Sequence, residues 1–131
     1  MPHKLVILPE TFAVCRLAPD APIPDWAVFA GSPISITRTA DELSIVGPAS
    51  RVPDGVQAER GWRCFKILGP LPFTMTGVLA SLVAPLAEAG ISIFAFSTYD
   101  TDYVMVKEET LALARDVLVA DGFEIVKGGG R

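Results

Sequence analysis

A chain of 131 residues, half of them hydrophobic, has room for one domain of ordinary size or two very small subdomains sharing a core. Fifteen acidic against eleven basic side chains leave a formal net charge of -4, and no Lys/Arg cluster offsets it; a nucleic-acid partner, which needs a basic face, is excluded. Pro, Gly or a charge interrupts every apolar stretch before the roughly 18 residues that cross a bilayer, and residues 1–12 lack the apolar centre of a secretory signal, so the expectation is a cytoplasmic protein with no membrane partner.

In chain order, residues 4–8 form an apolar strand whose partner the local pattern does not give, and residues 12–17 form a second. Residues 25–29 leave space for little more than one helical turn. Ile34-Ser35-Ile36 and Leu43-Ser44-Ile45-Val46 are strands joined at an acidic corner, Asp41-Glu42, and residues 47–55 are turn chemistry that leaves no room for a further helix and strand. Residues 62–68 alternate as a strand until Gly69-Pro70 breaks them. Thr76 is then placed to cap a helix with Val78, Leu79, Leu82, Val83 and Leu86 on one side, ended by Ala89-Gly90 and bent at Pro85.

Strands follow at residues 91–96 and 103–107, and Glu108-Glu109-Thr110 opens a second helix with an apolar stripe of Leu111, Ala114, Val117 and Leu118. Asp121-Gly122 stops it, residues 123–126 form a last strand, and a Gly-rich tail at 128–131 is expected to be disordered. From about residue 61 the order is strand, helix, strand, strand, helix, strand, the split βαβ arrangement of a ferredoxin-like α+β fold. The first half echoes it at an offset of roughly 50 to 57 residues, giving two subdomains in tandem, the first degenerate, with boundaries at 1–60 and 61–127.

The polar corner Ser97-Thr98-Tyr99-Asp100-Thr101-Asp102 between two apolar strands has two readings. One is a hairpin turn stabilised by its own side chains; the other is a small-molecule site. Catalysis by Asp100 and Asp102 is disfavoured, because residues at i and i+2 share a face only in a regular strand, which a corner is not. His3 is the lone histidine, next to the amino terminus, and the chain lacks P-loop, dinucleotide, nucleophile-elbow and zinc spacings, so no cofactor is expected and the protein is taken not to be an enzyme. Cys15 and Cys64, single and far apart, suit buried reduced thiols.

The segment "SLVAPLAEAGISIFAFSTYDTDYVMVKEE", Ser81 to Glu109, preceded by a strand and a Gly-Pro loop, resembles the ACT domains, amino-acid-sensing modules attached to many biosynthetic enzymes. More narrowly it is similar to the cytosolic arginine sensor family and to the paired ACT modules of aspartate kinases. The resemblance implies two ACT-type βαββαβ modules in a homodimer, with an amino acid or similar small metabolite bound where modules meet and a regulated enzyme as a possible partner. Carried across by residue, the ligand contacts are the loop Phe73, Thr74, Met75, Thr76 and Gly77, the helix residues Ser81 and Leu82, and the corner residues Tyr99, Asp100 and Asp102.

Chemically, backbone N–H groups at a helix start suit a ligand carboxylate, and Asp102 suits its ammonium. The sequence departs from the arginine sensors at Met75, where they carry an acid, so a guanidinium would find one negative partner fewer. A module that only mediates association, with no ligand, is the alternative.

Overall fold

A computed structural model describes residues 3–28, 31–69, 72 and 76–126. Phe73, Thr74, Met75 and the tail at 128–131 lie outside the described residues. The chain forms two compact units, one spanning Glu10–Trp62 and one in which residues 3–9 join residues 63–126.

The first unit holds strands β2 (Phe12–Leu17), β3 (Ser35–Arg38) and β4 (Leu43–Pro48), with 3-10 turns at Asp25–Ala27 and Ala49–Arg51. Residues 58–62, the start of the ten-residue strand β5 (Ala58–Ile67), complete it. The strand order is β3-β4-β2-β5, that is second, third, first, fourth: the ferredoxin-like order with each helix reduced to a 3-10 turn. A last strand therefore exists where the turn-rich residues 47–55 had argued against one. Those residues occupy the place of the missing second helix, held by Val52 N–H to Ala49 O at 3.1 Å and Val56 N–H to Pro53 O at 3.2 Å.

Period-two alternation aims Ala13 and Cys15 of β2 and Leu43 and Ile45 of β4 at one core, closed by Ala27 and Val52. Between the β2–β5 pairs Val14↔Glu59 and Phe12↔Trp62, β5 carries one residue more than β2. Gly61, with φ +83°, lies in that stretch; this is a β-bulge built on a residue that takes positive φ without strain.

The second unit contains β1 (Lys4–Ile7), residues 63–67 of β5, α1 (Val78–Glu88), β6 (Ile93–Ser97), β7 (Asp102–Lys107), α2 (Leu111–Ala120) and β8 (Glu124–Val126). Its order is β6-β7-β5-β1-β8. The expected four-stranded antiparallel sheet is thus a five-stranded one. β1 is interposed between first and last ferredoxin-like strands, antiparallel to β5 through Leu5↔Ile67 and parallel to β8 through Leu5↔Ile125. Leu5, Val6 and Leu8 are all buried, as a strand covered on both faces requires.

Val78, Leu82 and Leu86 of α1 and Ala114 and Leu118 of α2 pack on Leu5, Phe65, Ile67, Val104 and Val106 of the sheet. Both helices end in the same cap. Gly90 (φ +77°) donates to Ala87 O and Ile91 to Leu86 O, while Gly122 (φ +101°) donates to Val119 O and Phe123 to Leu118 O, all at 3.0 Å. These are Schellman caps, and Ile91 and Phe123 complete them by joining the core. α1 continues past Pro85 to Glu88.

Candidate functional site

The corner is built by the β6–β7 hairpin, whose register pairs Phe96 with Tyr103 and Ser97 with Asp102. Thr98 N–H donates to Thr101 O at 2.8 Å, and Thr101 N–H donates back to Thr98 Oγ1 at 3.3 Å, which closes the turn. Thr101 is 5% exposed and its hydroxyl donates to Ile67 O at 2.6 Å. A buried hydroxyl must find such a partner, and this one fixes the corner against the end of β5, where the loop to α1 departs.

Asp102, at the first position of β7, accepts a hydrogen bond from Ser97 Oγ at 2.5 Å on Oδ1. An ionised carboxylate accepts at both oxygens, so Oδ2 retains capacity for a cationic donor. Asp100 and Tyr99 form the exposed tip. Tyr99, expected among the ligand contacts, is 80% exposed. Tyr103 stacks on Phe96 with ring centroids 4.9 Å apart and planes 8° from parallel. Burial raises the Tyr103 phenol above its ordinary value, with Cys64 and Asp100 adding to the rise.

On the helix side, the N-cap of α1 is Gly77 and not Thr76: it has φ +78° and ψ 0° and, as a glycine, brings no capping side chain. A Cβ on Gly77 would meet nothing within 4 Å, so conformation, and no crowding by the protein itself, accounts for the glycine. Thr76, Gly77 and Ser81 are exposed. Ser81 Oγ donates to Val78 O at 2.7 Å, which leaves its lone pairs as acceptors. Leu82 is fully buried in the core, so its side chain is not presented to a ligand.

Two links went unseen in the residue pattern: Ser97 as the partner of Asp102, and Thr101 as the anchor of the whole corner. The first could be found from hairpin register, since residues flanking a four-residue turn face each other. The second depends on β5 being the neighbour of β7, which is long-range information.

Among the described residues no group of three His, Cys, Asp or Glu side chains could hold a metal ion. In the first unit, Trp26, Ala27, Ile34, Ile45 and Val52 line a hollow of about 10 Å³, room for no more than one water molecule. Cys15 and Cys64 are buried and not joined in a disulfide, and burial pushes the Cys15 thiol up against the opposing pull of Arg60.

Comparison with known proteins adds two family matches and three similar proteins. The ACT domain family matches residues 57–120, and a family describing an amino-terminal domain matches residues 10–55. The crystal structure of protein Atu0741 from Agobacterium tumefaciens is 39% identical, with TM-score 0.91 over 100% of this chain and 97% of that one. The Homo sapiens protein named cytosolic arginine sensor for mTORC1 subunit 1 is 38% identical over 56 residues, 43% of this chain but only 17% of that protein. The ligand-free regulatory subunit of aspartate kinase from Thermus thermophilus has TM-score 0.64 over 93% of this chain and 99% of its own, at 11% identity, a likeness of fold alone.

Proposed function

Because residues 57–120 match the ACT domain family, we propose that this chain is a regulatory protein that binds a free amino acid, held where ACT modules meet in a homodimer of this chain. The single observation that carries the reading is Asp102. One of its carboxylate oxygens is fixed by Ser97, and the corner that bears it is anchored by Thr101 to Ile67, at the point where the chain leaves for the start of α1. An ammonium pairs with the remaining oxygen, and a carboxylate suits the N–H groups of a first helical turn whose N-cap is a glycine. Regulation then needs only that the ligand bind one assembly state better than another.

No helix among the described residues is long and apolar enough to cross a membrane, and the human relative is named as cytosolic; both support a cytoplasmic protein. A second reading, an association module without ligand, draws on the same contact, since Ser97 already satisfies part of Asp102 within the hairpin.

Thermal melting in the presence of each of the twenty amino acids at millimolar concentration separates the two. For the sensor, at least one raises Tm, by an amount equivalent to about 2.7 kcal/mol at a hundredfold excess over Kd, and Asp102→Asn loses that rise while its unliganded Tm stays near wild type. A flat response to all twenty favours the association module.

A further inference from the structure

The chain builds the same hairpin twice. Counting 59 positions on from Leu43–Pro48 gives Asp102–Lys107, so β4 lands on β7 end for end, and the turn Ala49–Arg51 lands on the turn Glu108–Thr110. The corners share the bonds that close them. Thr39 N–H donates to Glu42 O at 2.9 Å, as Thr98 does to Thr101 O at 2.8 Å. Glu42 N–H returns to Thr39 Oγ1 at 3.2 Å, as Thr101 does to Thr98 Oγ1 at 3.3 Å. Little sequence is shared there beyond Thr-x-Asp, so the bonding identifies the repeat where composition does not.

The corners differ in what stands just before them. Where the second hairpin has Ser97, the first has Arg38. Its guanidinium reaches the loop that leaves β2: Nη1 donates to Pro19 O and Nη2 donates to Ala21 O at 2.9 Å. A turn closed by Ala21 N–H to Ala18 O at 3.0 Å holds these two carbonyls close together. Two acceptors meeting the two arms of one planar fork is recognition that an ammonium, a point charge, does not reproduce. The loop concerned follows the first ferredoxin-like strand of its unit, β2, as residues 68–77 follow β5, the first ferredoxin-like strand of theirs.

We propose that the carbonyls of Pro19 and Ala21 form a guanidinium-binding site that the chain fills with its own Arg38, closing the corner of the amino-terminal unit at the position left to Ser97 in the other. The corner beside Asp102 is then the one of the pair open to an outside ligand, a corollary that rests on the functional reading above.

The test removes the internal guanidinium and supplies a free one. Arg38→Ala is expected to melt roughly 2–6 °C below wild type, the range for losing charge-assisted bonds at an exposed site in a chain of this size. Methylguanidinium chloride at tens of millimolar is expected to restore a substantial part of that loss in the variant and none in wild type, with methylammonium chloride ineffective. An Arg38→Ala protein that melts with wild type overturns the proposal, and so does one that methylguanidinium restores no better than methylammonium. Should Arg38→Ala fail to fold, Arg38→Lys decides: it is expected to melt below wild type, and a lysine variant as stable as wild type shows that any cation serves, which also overturns it. Neither arm involves Asp102 or an amino-acid ligand, so the result stands apart from the outcome at the other corner.

Discussion

Thr101 does more for the corner than either of its acidic neighbours. Its hydroxyl is the link between the hairpin and β5, and its near-complete burial means that water cannot replace the lost partner. Thr101→Val keeps the shape and removes the donor; it is expected to cost about 1–3 kcal/mol in urea unfolding, and Thr101→Ser to recover most of it. Two other groups, Cys15 buried and Tyr103 half-buried, set an alkaline limit. Burial holds the Cys15 thiol and the Tyr103 phenol above their ordinary values of 9.0 and 10.0, so the unfolded chain gives up both protons first. Their contribution is fully present below about pH 9 and is lost as pH climbs through the raised folded values. The urea midpoint is expected to decline above pH 9, and Tyr103→Phe to decline less steeply.

Among elements, β1 is the one on which the second unit most depends. It supplies hydrogen bonds on both sides and places Leu5, fully buried, in the core beneath both helices. Leu5→Ala is expected to lower stability by about 2–5 kcal/mol, measured by urea unfolding, because a cavity opens in a sheet that has strands on either flank. That position was not legible in the sequence: residues 4–8 announce a strand by composition, but adjacency to residues 65–67 and 124–126 is fixed by tertiary packing. The second half was legible because its helices carry apolar stripes of period 3.6 and end in glycines that the Schellman caps use. The start of α1 was misread by one residue, since Thr76 has the right side chain for a cap whereas the position falls on Gly77, whose φ of +78° a glycine takes without strain. Gly61, where the second subdomain is expected to begin, lies in a bulge of one ten-residue strand that contributes to both units, which is why the last strand of the first unit escaped notice. Of the candidate site, the corner was visible as a concentration of polar residues; the exposure of Tyr99 and the burial of Leu82 depended on which way each side chain faces in the finished fold.

For the molecule as a whole, the two family matches fall on the two units, residues 10–55 on the first and 57–120 on the second, while a protein of almost the same length is similar throughout. The interposed strand has one more consequence, for the timing of synthesis. Every strand of the first unit has been made once residue 62 is in place, so that unit has its full set of partners while the ribosome is still at work. β1, made before any of them, has a neighbour in β8 that is not translated until residues 124–126. The strand at residues 4–7 therefore waits with the backbone N–H and C=O groups of one edge unpaired while more than a hundred further residues are made.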